Sequence, residues 1–247
     1  MLMALHNFGG DAAGFAKLIH AERVIEQGTV VVLPQAAGLI AEWQGPGITL
    51  TFSARRRDGH PVDDVAGLAQ TLAVVRRLYR IDPADINLVG FSQGATLALT
   101  LARHLARQTP EPARRVFMVA GSVAGPRNGA LEMPSADLFA YEPGRNGPQD
   151  VANFLTGEPG ERAFLPAIIA ANGCVLTERT TDHGVDARTY RCRDGQKLVH
   201  LFEPKGEHAW PGQDAKYDSW LMGSGSGSHV DFTGLMADEI GRPRAPR

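Results

Sequence analysis

Ser92 stands between two glycines in the pentapeptide Gly90-Phe91-Ser92-Gln93-Gly94, where an apolar run meets an alanine- and leucine-rich segment. A serine hydroxyl is a poor nucleophile at neutral pH. It becomes a useful one beside a base and near groups that hold negative charge. Ile86–Phe91 reads as a strand and Gln93–Arg107 as a helix, so the serine would sit on a sharp turn that lifts its hydroxyl above a sheet. Small neighbours let other backbone approach. The helix starting at Gln93 would aim its N-terminal amides at developing charge. Ser92 is therefore expected to be a nucleophile rather than one more turn serine.

A base is needed, and the chain has eight histidines. In sheets of this kind the catalytic groups follow the chain order serine, acid, histidine, with the histidine after the last strands. His208 fits, because Phe202-Glu203-Pro204-Lys205-Gly206-Glu207-His208-Ala209-Trp210-Pro211-Gly212 follows the apolar run Lys197–Glu203. His6 lies in the first loop, His20 in a helix, His60 beside Pro61, and His104 on the far side of the serine helix. His183, His200 and His229 have no strand-end setting. The first loop, Leu5-His6-Asn7-Phe8-Gly9-Gly10, is expected to give one backbone amide to an oxyanion, that of Phe8. The residue after the serine, Gln93, would give the other. Phe91 and Trp210, with Trp43 as a further candidate, are expected to wall an apolar substrate pocket. Trp210 is favoured because it lies two residues from the base.

The elements that must position these groups alternate along the chain. Met1–Leu5 and the β-branched run Thr29–Leu33 read as strands, with a helix over Asp11–Ile25 between them. Pro61–Tyr79 carries Val62, Val65, Leu68, Leu72, Val75 and Tyr79 at helical spacing, with proline acceptable in the first turn. Val116–Ala120 and Asp137–Tyr141 are expected strands, and Glu161–Ala171 and Phe232–Ile240 expected helices. Ala187–Arg193 and Lys197–Glu203 flank Asp194-Gly195, a hairpin signal. Strands alternating with helices imply a mostly parallel sheet covered on both faces, with the hairpin as an antiparallel piece at one edge. Residues 36–59, with the basic run Arg55-Arg56-Arg57, read as irregular and solvated. Gly223–Ser228 is a low-complexity, flexible tract within an otherwise single domain spanning 1–247.

Taken together, these stretches resemble the polyhydroxybutyrate depolymerase and feruloyl or acetylxylan esterase family of α/β-hydrolases. LHNFGGDAAGFA is similar to that family's first loop. VDDVAGLAQTLAVVRRLYRIDPADINLVGFSQGATLAL is similar to its helix, turn and serine elbow. AANGC, YRCRDG and HAWPG resemble its later signatures. The resemblance implies an α/β-hydrolase fold that starts directly at the strand before the oxyanion loop. It also implies ester hydrolysis without cofactor or metal, with Ser92 as nucleophile and His208 as base. Cys174 and Cys192 fall where the family often places a disulfide. The acid comes from aligning Gly147-Pro148-Gln149-Asp150-Val151 with the family's pattern, which puts it at Asp150. Alignment by strand end makes Glu142 the nearest carboxylate instead. Asn7 and Glu207 stand where the family has glycines. A carboxylate at Glu207 is expected to raise the pKa of His208.

Composition sets outer bounds. A net charge of −2 gives no general attraction to nucleic acid or membrane surfaces. No stretch approaches the ~20 apolar residues of a membrane span. The N-terminus is too brief and lacks the basic head expected of a signal peptide, so the chain reads as cytoplasmic as it stands, or secreted if a leader was removed. The expected ligand is a small or oligomeric ester. A hydrolase fold that has lost its chemistry and now binds, or a peptidase with the same triad, are the competing readings.

Overall fold

The computed structural model describes residues 1–37, 41–45, 62–108, 112–121, 133–144, 164–212 and 228–242 of the 247. Three runs are buried at every residue and form the centre of the sheet: β1 (Leu2–Leu5), β3 (Asn87–Phe91) and β4 (Arg115–Val119). Strands buried on both faces are characteristic of parallel sheets. Here β2 (Val31–Val32), β1, β3, β4, β5 (Asp137–Pro143) and β8 (Lys197–Glu203) run parallel. β7 (Val185–Arg191) and β6 (Val175–Asp182) continue the sheet antiparallel. The order is β2-β1-β3-β4-β5-β8-β7-β6.

The period of two along each strand divides the core. Met3, Leu88, Val116, Leu138 and Leu198 face α3 (Asp64–Tyr79), α4 (Gln93–Gln108) and α5 (Phe164–Ala171). Leu2, Val89, Phe117, Phe139 and Leu201 face α1 (Ala12–Leu18), α2 (Ala21–Ile25) and α6 (Phe232–Gly241). Helix starts follow their caps. The side chains of Asp11, Asp63 and Asp231 accept from the amides of Gly14, Ala66 and Gly234. The parallel strands all end at one edge, and the loops leaving that edge carry the expected site residues.

Three local expectations change. The helix expected over Asp11–Ile25 is two helices, broken where His20 takes a left-handed φ of 47°. The strand expected over Thr29–Leu33 pairs only at Val31–Val32. The hairpin edge gains β6, a strand exposed at all eight residues, which no apolar period announced. Cys174 and Cys192, one residue before β6 and one after β7, are joined by a disulfide. Pro61, residues 161–163 and most of the 36–59 and 223–228 stretches lie outside the described residues.

Candidate active site

Ser92 follows β3 directly with a φ of 55°, a conformation that side chains of its kind rarely adopt. The chain is held there by its own ladder: the Ser92 amide donates to the Val119 carbonyl at 2.8 Å, and the Ser92 carbonyl accepts from Ala95 N at 3.0 Å. The flanking glycines are required by space. A Cβ on Gly90 would stand 2.1 Å from the Gly94 carbonyl oxygen, and one on Gly94 would stand 2.1 Å from that of Leu5. The second contact is informative, because Leu5 ends β1 and is the register partner of Gly90. The first turn of α4 is thus pressed against the start of the loop that carries Phe8.

That loop is built around His6, which is fully buried. Its Nε2 accepts from Ala36 N at 3.1 Å, so its Nδ1–H donates to the Asn7 carbonyl at 2.8 Å. Burial lowers its pKa and keeps this neutral form. The Trp43 indole donates to the His6 carbonyl at 2.7 Å, and Gln93 Oε1 accepts from Trp43 N at 2.9 Å. Phe8 and Gln93, the expected oxyanion donors, therefore sit on two segments tied together through His6 and Trp43. The sequence placed His6 in this loop but gave no sign of the tie, which spans positions distant along the chain.

His208 lies at the same edge. Its ring stacks on Phe91, the residue before Ser92, with centroids 5.1 Å apart. The side chain is deeply enclosed, and among the described residues its Nδ1 has no hydrogen-bond partner. Burial lowers its pKa to about 3. This reverses the expectation that Glu207 would raise it, because desolvation of the charged form dominates at a site closed to water.

Phe91 and Trp210, expected to wall a substrate pocket, are both packed in the core. Phe91 is fully buried, and Trp210 meets Phe15, Phe91 and Phe232 edge-on while its indole donates to Thr233 Oγ1 at 3.0 Å. Phe91 stacks on the imidazole, and Trp210 meets Phe91 edge-on. Trp43 is likewise enclosed. Glu142, the alternative acid, faces the opposite side of the sheet from Phe91 and His208. Its carboxylate is 2.7 Å from Nε2 of His200, another buried histidine, on β8. Asp150 lies outside the described residues, in the segment that follows β5. Among the described residues no three His, Cys, Asp or Glu side chains converge to hold a metal, and no helix is long and apolar enough to cross a membrane.

No protein-family model matches the chain, and no curated protein matches it. Solved structures do. A carboxylesterase from Mesorhizobium loti superposes with a TM-score of 0.55 at 13% identity, covering 98% of this chain and 88% of that one. An acetyl xylan esterase from Aspergillus awamori gives 0.55 at 13%, covering 81% of each chain. A protein of unknown function from Agrobacterium tumefaciens gives 0.52 at 15%, covering 86% of this chain and 84% of that one. Likeness at such identity speaks for architecture, and the strand order, the crossing helices and the strand–serine–helix turn agree with it: the chain has the α/β-hydrolase fold.

Proposed function

We propose that this chain is a serine carboxylic-ester hydrolase working through an acyl-enzyme. The observation that carries the reading is Ser92, held in a left-handed turn at the end of β3, with the ring of its neighbour Phe91 stacked on His208. Neutral His208 takes the Ser92 proton as Oγ attacks the ester carbonyl. The amides of Phe8 and Gln93 receive the oxyanion. His208 returns the proton to the leaving alcohol. A water molecule, deprotonated by His208, then attacks the acyl carbonyl, and Ser92 departs with its proton restored. Asp150 is the proposed acid: its segment leaves β5 at the edge that carries the site, and the unpartnered Nδ1 of His208 is the atom a carboxylate would orient.

The substrate class is a short-chain, hydroxyalkanoate, feruloyl or related polymer-derived ester, met as a small or oligomeric molecule. The sequence resemblance supports this, as do the named activities of the carboxylesterase and acetyl xylan esterase neighbours. The same unpartnered Nδ1 favours a second reading, a hydrolase fold that binds without turning over. Hydrolysis of p-nitrophenyl acetate and butyrate tests the first reading. Ser92→Ala should abolish it with the fold intact, and equal rates in both proteins would end the assignment. A fluorophosphonate probe separates the two readings, since a competent site becomes labelled at Ser92 and a decayed one does not.

A further inference from the structure

Glu203, the last residue of β8, is a buried carboxylate that the acyl-transfer scheme leaves unused. Enclosing a carboxylate is costly unless hydrogen bonds replace its water. Here one oxygen, Oε2, accepts from the Tyr141 hydroxyl at 2.6 Å and from the Ser228 hydroxyl at 2.6 Å. The two donors come from different parts of the chain. Tyr141 is on β5, before the segment that carries Asp150. Ser228 precedes α6 and in turn accepts from Val230 N at 3.1 Å. Burial, and then Glu203 itself, raise the Tyr141 pKa far above the usual phenol range, so the hydroxyl remains a donor at any working pH.

The same residue shapes the turn that leads to His208. The Glu203 carbonyl accepts from Gly144 N at 2.7 Å and Gly206 N at 2.9 Å. A Cβ on Gly206 would stand 2.5 Å from the Tyr141 hydroxyl, so the turn is folded directly over the phenol. Beyond His208 the chain is pinned again. The Trp210 indole bonds Thr233, and a Cβ on Gly212 would stand 2.7 Å from the Val230 carbonyl oxygen. Between these anchors the His208 ring stacks on Phe91, and its Nδ1 makes no hydrogen bond among the described residues. An imidazole so placed takes its orientation chiefly from the backbone beneath it.

We propose that Glu203, clasped by the hydroxyls of Tyr141 and Ser228, is a positioning residue that fixes the turn carrying His208. Through Tyr141 it also ties that turn to the end of β5. The proposal rests on the reading of His208 as the base. Glu203 acts through the backbone: its carboxylate oxygen is taken up by Tyr141 and Ser228, and burial is the cause that lowers the His208 pKa.

Tyr141→Phe, Ser228→Ala and the double variant test it in the full chain, leaving the buried carboxylate in place. A displacement on the ångström scale at a reacting group can lower turnover by ~100-fold. The double variant is expected to lose roughly 10- to 100-fold in kcat on p-nitrophenyl butyrate, with KM little changed. Each single variant should fall between it and the wild type. Hydrogen–deuterium exchange should quicken over residues 204–212 and stay unchanged over β3 and α4. Unchanged exchange over 204–212 together with unchanged kcat would overturn the proposal. So would exchange that quickens evenly across the sheet, which would mark a merely structural role. A wild-type protein inert to ester and to fluorophosphonate would sink the hydrolase reading. The exchange arm would then still decide whether the carboxylate orders the turn.

Discussion

His208 is a buried imidazole that pays for its position when the solution turns acidic, and that penalty can be measured. Its ordinary pKa is 6.5, and burial in the fold lowers it to about 3. Below pH 6.5 the unfolded chain takes up a proton that the folded chain refuses. The stability linked to this group is therefore complete above pH 6.5 and is lost progressively as pH falls toward 3. One unit of pKa difference corresponds to about 1.36 kcal/mol, so the loss between pH 7 and pH 5 is about 2 kcal/mol. His208→Phe removes the titration and keeps a ring over Phe91. Any packing change caused by the new ring is the same at both pH values and cancels, as do the other titrating groups. Urea unfolding of both proteins at pH 7 and pH 5 supplies the four free energies. The wild type should lose about 2 kcal/mol more than the variant on acidification. Equal losses would refute the argument from burial. A smaller loss for the wild type than for the variant would show that the proposed acid, Asp150, pairs with Nδ1 in solution and outweighs the desolvation.

Three further outcomes are expected. Ser92→Gly relieves a left-handed backbone at φ 55°, so it should gain about 1 kcal/mol in urea unfolding while hydrolysis disappears; a variant no more stable than the wild type would remove the strain argument. Gly94→Ala places a methyl 2.1 Å from the Leu5 carbonyl oxygen, a backbone atom with little room to yield. It should lose about 1–3 kcal/mol and impair ester hydrolysis, and wild-type stability would mean that α4 and the first loop do not approach so closely. Cys174→Ser with Cys192→Ser opens a link between residues 18 apart, which should lower unfolding free energy by up to ~3 kcal/mol, and an unchanged urea midpoint would show that the bridge adds nothing.

The legible parts of the molecule were those whose signal is local. Leu88, Val89 and Phe91 followed by Ser92 and Gly94 announced a strand, a turn and a helix, and the structure has them in that order. Strand β6 gave no such signal, because Thr177, Glu178, Arg179, Thr180, Thr181 and Asp182 are exposed and bury no apolar stripe. The break at His20 was equally hidden, since Leu18, Ile19 and Val24 continue a helical pattern across it. Glu207 misled because its charge is visible in the sequence, whereas the burial that controls His208 comes from residues far along the chain. The same distance hid the tie between His6 and Trp43 and the clasp of Tyr141 and Ser228 on Glu203. Their partners are separated by tens of residues, and only the assembled sheet brings them together.

Buried polar atoms without a hydrogen bond occur at both edges of the sheet among the described residues: Asn87 Oδ1 and Arg115 Nε and Nη1 where the parallel strands begin, and His208 Nδ1 where they end. At the edge where the parallel strands begin, charges are neutralised by neighbours. Arg114 meets Asp85 at 2.6 Å, and Glu239 receives Lys197 at 3.0 Å and Arg242 at 2.6 Å, with Arg115 at 3.8 Å. At the edge where the strands end, a serine occupies a backbone conformation that a glycine would adopt without strain, and a buried imidazole nitrogen lacks a partner among the described residues. Both features are unfavourable to folding, and neither is needed to close the sheet. Penalties of this kind persist when a reactive group must be held ready rather than satisfied. Their meeting through a single ring contact, Phe91 on His208, ties the two penalties to one place. A scaffold selected for stability alone would remove them with Ser92→Gly and an apolar residue at position 208, so those two changes should raise stability at mildly acidic pH and abolish hydrolysis together.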